Sequence, residues 1–442
     1  MNTYKPVIGL EVHVELKTKS KMFCSCASEW FGKVPNSNTC PVCLGLPGAL
    51  PVPNRKAIEW CVMIGMALGC EIPLLSKFDR KNYFYPDLAK GYQISQYEEP
   101  FAIHGKLTLS TGKVIRIRRA HMEEDTGKLI HETLNGQKVS LIDFNRSGVP
   151  LVEIVTEPDF ENAKEVKEYL QKLQQIVRYL DVANADMDKG EMRLEPNISL
   201  RKNGQEDLPS YKVEVKNINS FSFVEKAIEY EIKRQTELLD KNEKPKQETR
   251  GWNEAKKATI SQRSKEEAAD YRYFPEPDIP PITWEQTQLS TLNAQLPELP
   301  DVKTKRFVKE FGLSEYNAEQ LTREREIADY FEQTVLDMQN TKYQIPNTDI
   351  ANWIINKKID IATTVPAELI QQILKASSVS GISEEELDNI LKKIVEQNSQ
   401  VVTDYKKGKT TAIMFLVGQA MKELKGKEKA DKVKTTLENL LQ

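Results

Sequence analysis

The segment Leu10–Leu16 alternates strictly between apolar and polar residues. Successive side chains of a β-strand point to opposite faces, so this pattern predicts a strand with one apolar and one polar face. Glu11, His13 and Glu15 would share the polar face. Carboxylates beside an imidazole can bind a divalent cation or transfer protons, but an ordinary half-buried strand with a solvated face gives the same pattern. The segment alone leaves both interpretations open.

The size of the chain bounds its organisation. A chain of 442 residues exceeds what one hydrophobic core usually holds, so two to three domains are expected. Its 39% hydrophobic and 29% charged residues are typical of a soluble globular protein. The longest apolar run, Cys61–Cys70, is too short to cross a bilayer, and residues 1–5 lack the apolar core of a signal peptide. We therefore expect a cytoplasmic protein.

Charge is distributed unevenly along the chain. The net charge of −3 argues against a protein that coats nucleic acid by charge alone. Val401–Gln442 contains nine Lys against five Asp or Glu, so this tail carries +4 and the remainder −7. The asymmetry indicates that the tail contacts a polyanion, although lysines that only solvate a helix face would give the same count.

Before residue 275, short predicted strands and two long amphipathic helices follow one another without regular βαβ alternation. The helices are predicted at 161–180 and 221–239, where apolar residues recur at helical spacing. The segment 78–97 mixes aromatic and charged residues without either period, which predicts a long loop. This organisation predicts an α+β fold whose strands are largely antiparallel.

A proline-rich segment separates this region from the rest of the chain. Six prolines between 275 and 302 mark the end of the first domain. After them, nearly every segment spaces its apolar residues as a helix does. The predicted domains are therefore a mixed domain at 1–290, an all-α domain at 291–375 and a small helical tail at 376–442.

Four of the six cysteines form two close pairs within a predicted loop at 20–48. The pairs are Cys24-x-Cys26 and Cys40-x-x-Cys43, a spacing typical of tetrahedral zinc sites. With sulfur at all four positions, the zinc would be structural and would stabilise a loop that has little core of its own. Free reduced thiols are the alternative.

Three further segments carry clustered ionisable side chains, which exposed turns or solvated strand faces would also explain. Glu153 is the most constrained, because it lies between Val152 and Ile154 in an apolar strand. Unless it points to solvent, its carboxylate must be paired, bind a metal or have a raised pKa. The other candidates are His121, Glu123, Glu124, Asp125, Arg193, Glu195 and Asn197.

Polar faces of neighbouring strands could meet at one site. On this hypothesis Glu11, His13, Glu124, Glu153 and Glu195 would converge. The sequence contains no Walker-A loop, no Gly-x-Gly-x-x-Gly and no Gly-x-Ser-x-Gly. A sheet lined with carboxylates therefore favours ATP bound through magnesium rather than through a glycine-rich loop.

Long motifs follow one another in a fixed order along the chain, at 8–16, 78–87, 90–96, 121–125, 149–155, 214–221, 270–278, 404–409 and 415–419. In this order they closely resemble the B subunits of the aspartyl/glutamyl-tRNA(Asn/Gln) amidotransferases. The resemblance is strong over about 7–282, moderate in the helical region and strong again in the tail. So many long motifs in sequence make coincidence untenable.

The resemblance implies a two-step reaction. ATP would phosphorylate the side-chain carboxylate of Glu-tRNA(Gln) or Asp-tRNA(Asn), and ammonia would then displace phosphate to give the amide. In this family a separate amidase subunit releases the ammonia from glutamine, and a third, bridging subunit joins the two. The resemblance therefore implies a heterotrimeric, ATP-dependent carbon–nitrogen ligase.

The resemblance also implies roles for individual residues. His13, Glu124 and Glu153 would bind magnesium, and Glu11 and Glu195 would complete a second divalent site. Side chains implied to contact phosphate, carboxylate or nucleotide are Lys81, Tyr83, Lys90 and Arg193. The four cysteines match zinc-bearing members of the family. The implied fold is a glutamine-synthetase-like antiparallel β cradle, followed by helical and tail domains that hold the tRNA.

Two departures from the family pattern bear on these roles. Glu195 stands where many relatives have aspartate, and it keeps the carboxylate on a side chain that is one methylene longer. The chain also looks shortened around Ser377–Ser383, so we expect the tail to dock tRNA differently or more weakly.

Two other functions stay open from the sequence. One is a tRNA-docking scaffold without chemistry of its own, and the other is a ligase that amidates a free amino acid. Carboxylates on several strands argue against the scaffold, and the basic tail is unexplained by the free amino-acid ligase.

Overall fold

The computed structural model describes residues 3–264, 271–341, 343–357, 359–379, 383–424, 428 and 430–441. Contacts divide the chain into two compact units, Met1–Lys303 and Thr304–Gln442. The first unit mixes strands with helices, and the described part of the second is helical, as the sequence predicts. The glutamine-synthetase-like architecture and the boundaries at 290 and 375 stay predictions.

The strands are numbered in chain order: β1 Tyr4–Glu15, β2 Leu75–Ser76, β3 Asp79–Asn82, β4 Tyr92–Ser95, β5 Ala102–Thr108, β6 Val114–Glu124, β7 Lys128–Leu134, β8 Gln137–Asp143, β9 Pro150–Thr156, β10 Met192–Lys202, β11 Val213–Lys216, β12 Glu248–Asn253, β13 Ala258–Ser264, β14 Phe274–Pro275 and β15 Ile282–Thr283.

The helices are α1 Arg55–Ala67, α2 Ala163–Tyr179, α3 Phe221–Asp240, α4 Gln286–Ala294, α5 Pro300–Phe311, α6 Glu315–Leu321, α7 Arg325–Gln339, α8 Asn347–Lys357, α9 Pro366–Val379, α10 Glu384–Gln397, α11 Ser399–Lys406, α12 Ile413–Leu424 and α13 Ala430–Leu441.

The largest sheet has the strand order β13-β12-β11-β10-β1-β9-β6-β5. Its neighbours are antiparallel except for the pair β11 and β12. Smaller sheets have the orders β14-β3-β4, β15-β2 and β7-β8. The strand β1, which carries the alternating segment, therefore lies in the middle of the main sheet between β10 and β9.

The apolar face of β1 is fully buried. Leu10, Val12 and Val14 are each at most 1% exposed and belong to one core that includes residues of α1, α2 and α3. Helix α1 packs on β5 and β6, and α3 packs on β10. Because side chains alternate along a strand, helix packing on this face leaves the polar side chains of β1 on the opposite face.

The strand β6 has a β-bulge or related irregularity between Ile117 and Arg119. Ile115 and Ile117 are buried before this point, and Ala120 and Met122 are buried after it. The irregularity shifts the alternation by one position, as a bulge does. The residues placed on the polar face after the shift are Arg119, His121 and Glu123.

The prediction of a loop over 78–97 is wrong in part. The strands β3 and β4 form there and pair from Asp79 and Ser95 to Asn82 and Tyr92. Each has four residues, which is too short for a period of two to stand out among mixed side chains. Their pairing supports Lys81 and Gln93 beside the end of β6.

In the part of the second unit that the structure describes, the apolar residues form two separate clusters. One is formed by residues between Phe307 and Leu374, and the other by residues between Leu387 and Leu441. None of the helices in the described ranges combines the length and apolar character that a membrane crossing requires.

Candidate active site

The polar face of the main sheet arranges its side chains in rows across β6, β9, β1 and β10. Directly opposed residues in antiparallel strands share a face. The rows are Arg119, Val155, Glu11 and Glu195; His121, Glu153, His13 and Arg193; and Glu123, Leu151 and Glu15. The strand register thus brings together residues that are up to 184 positions apart, as with Glu11 and Glu195.

A first cluster consists of His13, Glu123 and Glu153. Each offers one ligand atom, and these atoms all lie within 4.8 Å of one another. His13 Nδ1 is 3.7 Å from Glu123 Oε2 and, among the described residues, is buried without a hydrogen-bond partner. His121 and Glu123 are each 2% exposed, so the alternative of an exposed charged turn is wrong for them.

The carboxylates of the first cluster are held ionised despite their burial. Burial raises the pKa of Glu123, but Lys81 and His121 outweigh it and hold that pKa well below its usual range. Burial and Glu123 likewise raise the pKa of Glu153, and His121, whose Nε2 is 3.2 Å from Glu153 Oε2, lowers it below the usual value. Ionised carboxylates and an imidazole form a donor set suited to a divalent cation.

A second cluster consists of Glu11, Glu195 and Glu214, whose ligand atoms also lie within 4.8 Å of one another. Lys216 Nζ is 3.1 Å from Glu195 Oε2 and 3.6 Å from Glu214 Oε1. Asn197 Nδ2 donates to Glu11 Oε1 at 3.0 Å. Burial, followed by the nearby carboxylates, raises the pKa of Glu11. The structure thus adds Glu214 to the predicted pair of Glu11 and Glu195.

Glu124 lies elsewhere than the sequence predicts. The structure brings Glu123, rather than Glu124, beside His13 and Glu153. Glu124 Oε1 instead accepts from the Ile94 backbone N–H at 3.0 Å and from the Lys90 ammonium. Adjacent residues of a strand point to opposite faces, so only one of the two carboxylates can join the cluster.

Each cation to which the family resemblance gives a phosphate or carboxylate contact already has a carboxylate partner. The pairs are Lys81 Nζ with Glu123 Oε1 at 3.4 Å, Lys90 with Glu124, and Arg193 with Asp125 through two bonds of 3.0 and 2.8 Å. Tyr83 lies near them and packs edge-to-face on Tyr271 with ring centroids 6.0 Å apart. These ion pairs fix the carboxylates around the first cluster.

The structure adds residues that sequence reasoning either left unassigned or did not consider. Glu123 and Asp125 stood in a run of three acidic residues without assigned roles. Glu214 alternates with Lys216 in β11, a signal present in the sequence but not used. Arg119 gave no signal, because nothing in the sequence distinguishes it from the other arginines of β6.

The four clustered cysteines come together as the sequence predicts. Their Sγ atoms lie within 4.8 Å of one another, and the backbone N–H of Cys40 donates to Cys43 Sγ at 3.1 Å. The hydrogen bond with Cys24 lowers the pKa of Cys43 to about 4, against the opposing effect of burial. The fully buried Lys21 places Nζ 3.6 Å from Cys43 Sγ. Thiolate sulfur is the form that binds zinc.

The cysteine loop is tied to the turn at 143–149. The Asn38 backbone N–H donates to Asn145 Oδ1 at 2.8 Å, and Ser147 Oγ donates to the Cys43 carbonyl at 3.1 Å. This turn leads directly into β9, which carries Glu153. The loop therefore supports one strand of the first cluster.

A cavity of about 460 Å³ adjoins the second cluster. Its wall includes Glu11 and Asn197 from that cluster and the short segment 208–212. Apolar surface is contributed by Val7, Gly9, Val155, Pro158 and Leu208. The cavity thus combines a mainly apolar wall with a polar end, as small-molecule sites commonly do.

Comparisons with known proteins identify the family of this chain. Residues 6–290 match the family described as the GatB/GatE catalytic domain, and residues 344–441 match the family described as the GatB domain. Three curated relatives are named as B subunits of the aspartyl/glutamyl-tRNA(Asn/Gln) amidotransferase. The relative from Dehalococcoides mccartyi is 45% identical and covers 97% of this chain and 96% of its own length.

The other two relatives cover the chain still more completely. The protein from Carboxydothermus hydrogenoformans is 43% identical over 100% of this chain and 99% of its own length. The protein from Thermotoga maritima is 44% identical over 99% of both chains. The family suggested by the sequence motifs is confirmed: the chain belongs to the B subunits of the aspartyl/glutamyl-tRNA(Asn/Gln) amidotransferases.

Proposed function

We propose that this chain is the subunit that activates the side-chain carboxylate of Glu-tRNA(Gln) or Asp-tRNA(Asn) with ATP and then amidates it with ammonia. Family membership supports the substrate class. The observation that carries the chemistry is the buried cluster of His13, Glu123 and Glu153. Carboxylates are poor acyl donors to amines, and phosphorylation supplies the leaving group that amidation needs.

Magnesium fits the residues present. His13, Glu123 and Glu153 would hold one ion, and Glu11, Glu195 and Glu214 would hold a second. The unpartnered His13 Nδ1, among the described residues, points to a ligand there. When bound, the ions would reduce the repulsion between the anionic carboxylate and the phosphates of ATP.

Lys81, Lys90 and Arg193 act on this site through the carboxylates they hold. Lys81 keeps Glu123 ionised. Arg193 donates two hydrogen bonds to Asp125 and so orients that carboxylate. A direct contact with substrate phosphate would require each cation to exchange or share its carboxylate partner. We therefore assign them chiefly to positioning the site, with Lys81 and Tyr83 on the side of the first cluster.

The nucleoside part of ATP would occupy the cavity beside Glu11 and Asn197. A volume of about 460 Å³ lies within the usual range for small-ligand pockets. Its polar end meets the second carboxylate cluster, so phosphates bound there would lead toward the first. This orientation agrees with the rows of side chains that cross β9, β1 and β10.

The partners would be the amidase of the same complex, which releases ammonia from glutamine, and the bridging subunit. The helices α10–α13 would contact tRNA. The excess of +4 in Val401–Gln442 supports that surface. A non-catalytic scaffold is disfavoured, because burying carboxylates without a chemical role costs roughly several kcal/mol each.

ATP hydrolysis by the assembled complex tests the proposed function. We expect strong stimulation by Glu-tRNA(Gln) and none by Gln-tRNA(Gln), which is identical except that an amide replaces the carboxylate. Stimulation by free glutamate would instead indicate a ligase for a free amino acid. No stimulation by any of these or by Asp-tRNA(Asn) would indicate a scaffold.

Zinc in the cysteine loop gives a separate expected result. Elemental analysis of the purified chain should find about one zinc per molecule, and Cys43→Ser should lose it and melt several degrees lower. Cys70→Ala is the matched control, because Cys70 lies outside the thiol cluster. Full zinc content in the Cys43 variant would contradict the assignment and favour free thiols.

A further inference from the structure

Arg119 differs from the other cations around the active site. Among the described residues it forms no ion pair, and its Nε is buried without a hydrogen-bond partner. Its neighbours on β6 are paired: Arg116 makes two bonds to Asp159 at 2.9 and 2.6 Å, and Arg118 makes two to Glu157 at 2.9 and 2.8 Å. A buried polar atom without a partner costs free energy unless a ligand satisfies it.

The Arg119 guanidinium lies over one ring of a stacked aromatic pair. Its central carbon lies 5.7 Å from the ring centroid of Tyr97, and Tyr97 stacks on Tyr273 at 4.4 Å with an interplanar angle of 12°. Aromatic faces attract guanidinium groups and fix their orientation without using their hydrogen-bond donors. All the donors of Arg119 therefore stay available.

Tyr273 adds a neutral hydroxyl next to these groups. Burial raises the pKa of Tyr273 to about 12, so its phenol keeps its proton at physiological pH. The charges that act on this phenol include those of Lys81, Glu123 and Arg119. The hydroxyl is thus close enough to feel the charges of both the first cluster and the guanidinium.

In the row across β6, β9 and β1, Val155 lies between the positively charged Arg119 and the negatively charged Glu11. Arg119 is opposite Val155 on β9, and Val155 is opposite Glu11 on β1. Val155 is short and only partly buried, whereas its neighbours on the strand are buried. Val155 is therefore flanked in its row by Arg119 on one side and by Glu11 of the second cluster on the other.

We propose that Arg119 and Tyr273 bind an oxyanion of the substrate above Val155, next to the carboxylate clusters. This inference rests on the proposed function. A planar guanidinium can give two parallel hydrogen bonds to a phosphoryl group or to a carboxylate, and the phenol can give a third. The oxyanion is either the terminal phosphate of ATP or the side-chain carboxylate on the tRNA.

The test uses the assembled complex with Arg119→Lys, Arg119→Ala and Tyr273→Phe. The control is Arg116→Ala, which removes an exposed arginine from the same strand. Arg119→Ala should lower kcat/KM by about 100-fold and Tyr273→Phe by about tenfold, while the control stays within about twofold of wild type. Arg119→Lys should restore only part of the loss, because an ammonium lacks the planar pair of donors.

Two further readouts separate an oxyanion site from a structural role. Guanidinium ion added to the Arg119→Ala complex should restore activity without changing its melting temperature. A raised KM and weaker equilibrium binding for ATP would identify the phosphate, and a raised KM for Glu-tRNA(Gln) alone would identify the carboxylate. Either result supports the proposal.

The oxyanion site would be overturned if the Arg119→Ala and Tyr273→Phe complexes matched Arg116→Ala in both KM values and in kcat. That failure is distinct from a failure of the proposed function, in which the wild-type complex itself would show no hydrolysis in response to Glu-tRNA(Gln).

Discussion

Replacing His13 with alanine is expected to lower ATP hydrolysis stimulated by Glu-tRNA(Gln) by more than about 100-fold. Removing even an outer partner of a metal ligand commonly costs about 10- to 100-fold, and His13 would bind the ion directly. The imidazole is one of three donors in the first cluster, and its Nδ1 has no hydrogen-bond partner among the described residues. The measurement is steady-state hydrolysis by the assembled complex with and without the charged tRNA.

The same variant should leave the protein folded and assembled. His13 lies on the polar face of β1, whereas the opposite face, with Val12 and Val14, forms the core. Glutaminase activity of the partner amidase and the elution volume of the complex should stay close to wild type. His131→Ala, in the exposed hairpin of β7 and β8, is the control. Near-normal hydrolysis by His13→Ala would instead support the interpretation of β1 as an ordinary strand with a solvated polar face.

Glu123→Gln and Glu124→Gln are expected to give opposite results for metal binding. The Glu123 variant should lose tight binding of Mn²⁺, used as a probe for magnesium, because it removes an anionic oxygen from the cluster with His13 and Glu153. The Glu124 variant should retain it, since that carboxylate is held by Lys90 and the Ile94 N–H. Electron paramagnetic resonance of bound Mn²⁺ measures both.

Activity should nevertheless fall in both variants, for different reasons. Glu123→Gln should fail through the metal site and resist rescue by high magnesium. Glu124→Gln releases Lys90 and loosens the support of β4, so its loss should appear mainly in KM. If the Glu124 variant lost Mn²⁺ while the Glu123 variant kept it, the role that the sequence assigned to Glu124 would stand.

Features of the site that depend on a local sequence pattern could be predicted, and features that depend on the pairing of distant strands could not. The alternation of Leu10–Leu16 predicted both faces of β1 correctly, because it depends only on the strand period. The cysteine spacing likewise predicted the thiol cluster. The choice between Glu123 and Glu124 required the phase of β6, which is set before His121, at the irregularity after Ile117.

Other parts of the site depend on pairing between distant strands. Glu214 reaches Glu11 only because β11 pairs with β10 and β10 pairs with β1. No local pattern in the sequence gives that register. Glu15 had no assignment from sequence, and the structure gives it a structural one: its Oε2 accepts from Trp30 Nε1 at 3.0 Å. Burial and the neighbouring Asp125 raise the pKa of Glu15 well above its usual range.

The irregularity in β6 gives this strand one residue more than a simple period of two requires. A substitution at Arg118 would remove one exposed ion pair, whereas deleting that residue would restore a simple period of two through the strand. Ile117 and Ala120 would then be two positions apart, so Ala120 and Met122 would stay on the apolar face. His121 and Glu123 would stay on the polar face. In evolutionary terms, this short stretch is a place where the strand can lose one residue and keep the same side chains on each face.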